Sequence, residues 1–245
     1  MNYEDIFQER GGSYHEAMKR WPEVRRNDFI LPLRWAALQA GEKVVDVPAG
    51  GGYMRKYVPA ACQWFGHEPC ASFGAGATTL NQSLLPLPYA DGFADVVISI
   101  AGVHHLSDKP PLFGELHRVL RPGGRLMLAD VHADSSVARF LDDFVGRHNS
   151  TGHRGEYLNE QTLEDLKASG FSIDRAERVG YEWCFGDRSE MGAFCRLLFD
   201  IREIDVSEVA DAIEQHLGLR AQDKQIGMPW ELYFILAVRD DKHRA

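Results

Sequence analysis

The fold class this chain predicts is α/β, a doubly wound and mostly parallel sheet, and three observations predict it. Residues 43–47 and 93–100 are short, continuously apolar and β-branched runs, the composition of strands buried on both faces. Runs of this kind end in glycine-rich or polar turns, as at Pro48-Ala49-Gly50-Gly51-Gly52. Helically spaced segments alternate with the strands, which is the pattern of parallel strands joined by crossovers.

The elements follow in order. Residues 1–40 carry helical spacing, with Phe29, Leu33, Ala36 and Ala37 on one face, and Gly41 is expected to close that segment as a C-cap. Residues 43–47 form the first strand, 61–66 the second and 93–100 the central one. Residues 110–120 read as a helix with Ser107 or Asp108 as N-cap and proline in its first turn. Arg121-Pro122-Gly123-Gly124 stops it, and residues 125–130 are another buried strand. Asn159 is expected to cap a helix ending near Gly170. Residues 187–225 are charged and helical and read as an insertion. Residues 230–238 form a final strand, expected at the edge of the same sheet.

The 245 residues suffice for one substantial core. A net charge of −9 repels phosphate backbones and anionic lipid, so no nucleic-acid or membrane partner is expected. The run from Lys19 to Arg26 is the one basic candidate and reads as a solvated helix end. Cys62, Cys70, Cys184 and Cys195 are scattered without a CxxC pair, which fits free thiols in a reducing, cytoplasmic compartment. The N-terminus is polar and acidic, and no apolar run approaches a membrane span.

In an open α/β sheet, ligands bind at the carboxyl ends of the strands. The turn from Pro48 to Gly52 lies at such an end, and its glycines let a ligand approach the backbone. A tight turn without a ligand is the alternative. Glu68, at the end of the second strand in Gly66-His67-Glu68-Pro69, stands where an acid accepts the ribose hydroxyls of a nucleoside. Taken alone it reads more readily as a helix-start or surface acid. A dinucleotide site wants G-x-G-x-x-G. Here proline holds the first glycine position, so an NAD(P)-dependent oxidoreductase is the weaker nucleoside reading.

With Asp46 two residues upstream, Pro48-x-Gly50-x-Gly52 resembles the D-x-G-x-G-x-G loop of class I S-adenosylmethionine (SAM)-dependent methyltransferases. Three further segments resemble the type-11 small-molecule group of that family: residues 85–97, LPLPYADGFADVV; residues 101–106, AGVHHL; and residues 115–124, ELHRVLRPGG. The four motifs stand in order across residues 44–130. The resemblance implies a Rossmann-like, seven-stranded sheet with an antiparallel edge strand. It implies one domain over 1–245, with an N-terminal helical lid (1–40), a cofactor-binding core (41–183), a helical insertion (184–228) and a final strand (229–240). It implies SAM as cofactor. Asp46, Pro48, Ala49, Gly50 and Gly52 would hold its methionine end, and Glu68 its ribose with Pro69 beside it. Asn81 would face the adenine, Gln82 and Ser83 its edge, and Ile100 and Ala101 the sulfonium. Tyr14 would reach the carboxylate from the first helix, with core packing as the alternative.

Methyl transfer to oxygen or to an acidic carbon calls for a base of near-neutral pKa, which suits histidine. His104 and His153 are the candidate bases; for His104 and His105 the alternative is that they cap the strand end by hydrogen bonds. His105, His132 and His148 belong to the same candidate acceptor site, to which an aromatic patch adds Trp183 beside Tyr181, Phe185, Met191 and Phe194. No metal is expected. A quartet of Asp130, His132, Asp134 and His148 offers nitrogen and oxygen ligands at a spacing that matches no ligand pattern. The expected activity is transfer of a methyl group to an O, N or C atom of a small-molecule acceptor, by a monomer or homodimer. The alternative is a SAM-binding protein without methyl transfer, acting as a partner subunit, sensor or non-methylating enzyme.

Overall fold

A computed structural model describes residues 3–74, 76, 83–222 and 224–240. Helices α1 (Tyr3–Arg20) and α2 (Arg26–Ala36) precede β1 (Lys43–Asp46) and β2 (Gln63–Gly66). Then come β3 (Ala94–Ile100), α3 (Pro110–Val119) and β4 (Leu120–Asp130). Next are α4 (Ser136–Phe140), a π-helical turn at Leu141–Val145, α5 (Gly146–His148) and α6 (Glu160–Ala168). Strand β5 (Phe171–Phe185), helices α7 (Arg188–Leu198) and α8 (Val206–Leu217), and strands β6 (Arg220–Gln222) and β7 (Gln225–Arg239) complete the chain.

These strands make one seven-stranded sheet in the order β2-β1-β3-β4-β7-β5, with β6 pairing off β7. Strands β1 to β4 are mutually parallel, and β7 is antiparallel to β4, β5 and β6. The reversed strand β7 therefore lies one place in from the margin, with β5 outside it. Successive residues along the central strands point to opposite cores. Val44, Val96, Ile98 and Met127 pack with α2, α7 and α8 on one face. Val45, Val97, Leu126 and Leu128 pack with Leu112, Phe113, Leu116 and Leu166 on the other. Burial on both sides is why the runs carry no polar alternation. Each such side chain contributes on the order of 1.5–3 kcal/mol.

Several boundaries differ from the sequence expectation. Helix α2 ends at Ala36, and Ala37 adopts the left-handed conformation (φ 48°) expected of Gly41. Gly41 instead serves the turn into β1, its N–H donating to Ala61 O at 2.7 Å. Helix α3 has Lys109 at its N-cap without a side-chain bond, in place of Ser107 or Asp108. Prolines at its first two positions remove two of the amides a cap would serve. Asn159 does cap α6, in a reciprocal capping box with Thr162. The segment after β5 is two helices followed by a β6–β7 hairpin, so residues 225–228 are strand rather than helix.

Helix α1 lies across the carboxyl ends of the parallel strands. Its Gly11 lets it seat there, because a Cβ would come within 2.2 Å of Ser72 Oγ. Tyr3, Phe7, Arg10 and Tyr14 recur at helical spacing, and all four face inward.

Candidate active site

At the end of β1 the loop from Pro48 turns on Gly50 (φ +54°) and Gly52 (φ +73°), conformations that only glycine adopts without strain. At Gly52 the chain itself also excludes a side chain, since a Cβ would meet Gly76 O at 2.5 Å. The segment after the loop is a short 3-10 turn, Tyr53–Tyr57.

Glu68 leaves β2 fully buried, with three donors on its carboxylate: Gly50 N–H at 2.8 Å, Cys70 N–H at 2.9 Å and the Tyr3 hydroxyl at 2.9 Å. Burial raises its pKa, and these donors pull it partly back. Asp46, also buried, accepts from Trp64 Nε1–H at 3.2 Å. Burial pushes its pKa up to about 8, against the Trp64 bond and with Glu68 adding repulsion. Asp46, Pro48, Ala49, Gly50, Ile100 and Ala101 enclose a cavity of about 40 Å3, roofed by Tyr3, Phe7 and Tyr14 of α1. Gly52 lies outside it, on a groove with His15 and Arg55. Ser83 is exposed, its carbonyl 3.1 Å from His67 Nε2. Pro69 is buried beside Glu68 and does not line the cavity. Asn81 and Gln82 fall outside the described residues.

A second cavity of about 50 Å3 adjoins the first and shares Phe7, Tyr14, Arg25 and Ala101 with it. The shared wall is held by a buried network. Arg25 donates to the Tyr14 hydroxyl and, through Nε at 2.6 Å, to Asp28. Asp28 also accepts Trp183 Nε1–H at 2.7 Å. Tyr14 is thus bound to Arg25 between the two cavities.

His104, His105 and His153 converge in the second cavity, their ring centroids 4.0–5.5 Å apart. His104 sits on a tight turn after β3, entered through Ala101 in the left-handed conformation. Asp130, at the end of the neighbouring strand β4, accepts His104 Nδ1–H at 2.6 Å and His104 N–H at 3.1 Å. Burial alone would raise the Asp130 carboxyl, but His104 and the N–H donors bring it below the usual range. A carboxylate on Nδ1 fixes the tautomer and leaves His104 Nε2 as the acceptor.

His153 stands 3.5 Å from Asp142 Oδ1 through its Nδ1. Asp142 comes from the π-helical turn and is held by Tyr157 OH at 2.6 Å. Burial pushes His153 down to about 4, with Asp142 opposing and His104 and Arg10 adding. Burial and the same neighbours carry His105 well below its usual value. Both rings are therefore neutral at pH 7.

Arg10 was not singled out from sequence. It is 4% exposed, and its Nε and Nη1 have no hydrogen-bond partner among the described residues. Burial lowers its pKa to about 10. Its signal was available, as a charged residue on the apolar stripe of α1. Tyr3 and Asp130 were likewise not assigned to the site.

Two expected members do not join it. His132 packs on Tyr233 and its Nδ1 accepts Asp134 N–H at 3.1 Å. His148 stacks on Phe144, 5.1 Å between centroids, away from both cavities. The quartet of Asp130, His132, Asp134 and His148 is not assembled, since Asp130 is engaged by His104. Of the aromatic patch, Trp183 lines the second cavity, while Phe185, Met191 and Phe194 are core.

Residues 45–128 match the family model "Methyltransferase domain". The chain is 31% identical over 116 residues to methyltransferase GfsG of Streptomyces halstedii, a match covering 38% of this chain and 39% of that protein. It is 47% identical over 98 residues to the uncharacterized protein YafE of Escherichia coli (strain K12), covering 40% and 47%. The chain thus spans less than half the length of these relatives. Among solved structures, Haemonchus contortus phosphoethanolamine N-methyltransferase 2 in complex with S-adenosyl-L-methionine superposes with a TM-score of 0.64 at 15% identity, covering 98% of this chain and 60% of that one. No helix among the described residues is long and apolar enough to cross a membrane.

Proposed function

We propose that the chain is a class I SAM-dependent methyltransferase of the type-11 group, as the family match over residues 45–128 supports, and that it methylates an O, N or C atom of a small-molecule acceptor held in the histidine cavity. The observation that carries this reading is the shared wall. A cavity lined by Asp46 and the glycine loop, with the buried Glu68 bonded to Gly50 of that loop, adjoins one with an oriented imidazole, and Ala101 lines both.

Bound SAM supplies an electrophilic methyl group on a sulfonium. In this reading Glu68 would take its ribose hydroxyls, and Asp46 with the backbone from Pro48 to Gly50 would take its methionine end. Ala101 lies where the two cavities meet, and Ile100 lines the first beside it. Small-molecule sites run to several hundred Å3, whereas the cavity under α1 is about 40 Å3. Helix α1 therefore acts as a lid that withdraws to admit the cofactor, parting Tyr3 from Glu68. When it returns, Phe7 and Tyr14 exclude water from the reacting centre.

In the second cavity His104 is the group placed to take the acceptor's proton. Asp130 holds the imidazole in the accepting tautomer and stabilises its charged form. The apolar walls, Trp183, Trp230 and Leu232, suit a flat, largely apolar acceptor. No cysteine forms a disulfide among the described residues, and we place the protein in the cytoplasm.

The test is transfer of label from methyl-labelled SAM to a panel of small aromatic acids, phenols and amines. Label is expected in an acceptor, and His104→Gln is expected to slow its transfer about 10²- to 10⁴-fold at saturating SAM, the usual worth of a general base. Unchanged turnover in that variant would remove the base assignment. No acceptor labelled by a SAM-binding protein would favour the non-methylating reading.

A further inference from the structure

We propose that His104, His105 and His153 form a binding site for one divalent transition-metal ion in the acceptor cavity. One ligand nitrogen from each lies within 4.8 Å of the others. Tetrahedral imidazole ligation at about 2.1 Å separates nitrogens by about 3.4 Å. The rings therefore need to close by at most about 1.4 Å, which side-chain rotation supplies.

Two of the three rings are backed as metal-bound histidines are. Asp130 holds His104 Nδ1 at 2.6 Å, and Asp142 faces His153 Nδ1 at 3.5 Å. A carboxylate behind one ring nitrogen orients the other toward the metal and raises its basicity. Asp142 is itself fixed by Tyr157 OH and Gly155 N–H. An all-imidazole set suits Zn2+, Fe2+, Co2+ or Cu2+ rather than Mg2+ or Ca2+.

Three protein ligands leave a coordination position open, as catalytic rather than structural sites do. The three rings line one cavity together with Arg10, Leu141 and Trp183. The Arg10 charge opposes a bare cation, while Asp130 and Asp142 favour one. The remaining ligand is therefore an anion that satisfies metal and guanidinium together, a carboxylate, enolate or phenolate on the acceptor. Coordination weakens the hold of an acceptor oxygen on its proton. The proton passes to solvent, and in the metal-loaded protein His104 serves as ligand instead of base. This rests on the second cavity being the acceptor site, yet metal uptake is read without acceptor or turnover.

The experiment titrates chelator-stripped protein with Co2+, following ligand-field absorption, and then with Zn2+ in competition. One tetrahedral Co2+ per chain, displaced by Zn2+, is expected in the wild type. His105→Ala and His153→Ala are expected to abolish that spectrum, and Asp142→Asn to weaken binding about 10- to 100-fold, the usual loss when a ligand's carboxylate partner is removed. Retained SAM binding reports that each variant is folded, since none of these residues lines the cofactor cavity. No Co2+ uptake by the wild type, or uptake unchanged in His105→Ala and His153→Ala, would overturn the proposal and leave three stacked imidazoles. In either case SAM binding by the wild type separately reports whether the methyltransferase reading stands.

Discussion

Substituting Glu68 by glutamine tests the cofactor assignment at its most buried point. The carboxylate is fully enclosed and carries three donors, two of them backbone N–H groups from Gly50 and Cys70. A glutamine keeps the shape but turns an NH2 toward one of those N–H groups, donor against donor. Leaving a buried donor unsatisfied costs about 1–3 kcal/mol. For a chain of this size that lowers Tm by about 2–4 °C per kcal/mol. Separately, the ribose hydroxyls lose a charged acceptor, worth about 1.5–3 kcal/mol, so affinity is expected to fall roughly 10- to 150-fold. The assay is calorimetric titration with the demethylated product, which binds without turnover, alongside a thermal scan. A lower Tm with Kd within about twofold of wild type would refute the ribose role and make Glu68 a clip between the glycine loop and Cys70.

Two other outcomes follow from the same geometry. Tyr3→Phe removes the hydroxyl that occupies Glu68 Oε2 in the closed cavity. SAM binding is then expected to tighten by about 1 kcal/mol, or about fivefold, as a competing hydrogen bond is lost; weaker binding in calorimetry would place Tyr3 on the cofactor instead. Asp46 has its folded pKa raised to about 8 from an ordinary 3.8. Its contribution to stability is therefore fully present below about pH 4 and is lost as pH rises through about 8. A cationic ammonium favours the carboxylate, so SAM binding is expected to release a proton and to strengthen from about pH 6 to 8. Equal binding enthalpies in buffers of different ionisation heat at pH 7 would rule that out.

How much of this was legible in the sequence depended on the range of the signal. The strands were readable because burial on two faces leaves a continuous apolar run, as in Val44-Val45 and Val96-Val97-Ile98. The glycine loop and Glu68 were readable because one strand and one turn fix both. The Asp130–His104 pair joins residues 26 positions apart. It follows only from the parallel register that sets Ile100 beside Ala129, which no local pattern states. His153 returns through the loop after the π-helical turn, and that turn has no distinctive composition. His132 was misplaced for the same reason: its backbone bridges Leu158 and its ring turns to Tyr233. Arg10 and Tyr3 share one helical stripe with Phe7 and Tyr14. A charge on such a stripe was readable, yet its meaning needed the cavity.

The most direct test of the central claim is calorimetric titration of the purified protein with SAM, with its demethylated product and with NADH. The expected result is saturable, micromolar-range binding of SAM and the product, with none for NADH. Binding of NADH, or of no nucleoside at all, would contradict the assignment of the Asp46–Gly50 cavity, with Glu68 behind it, to this cofactor.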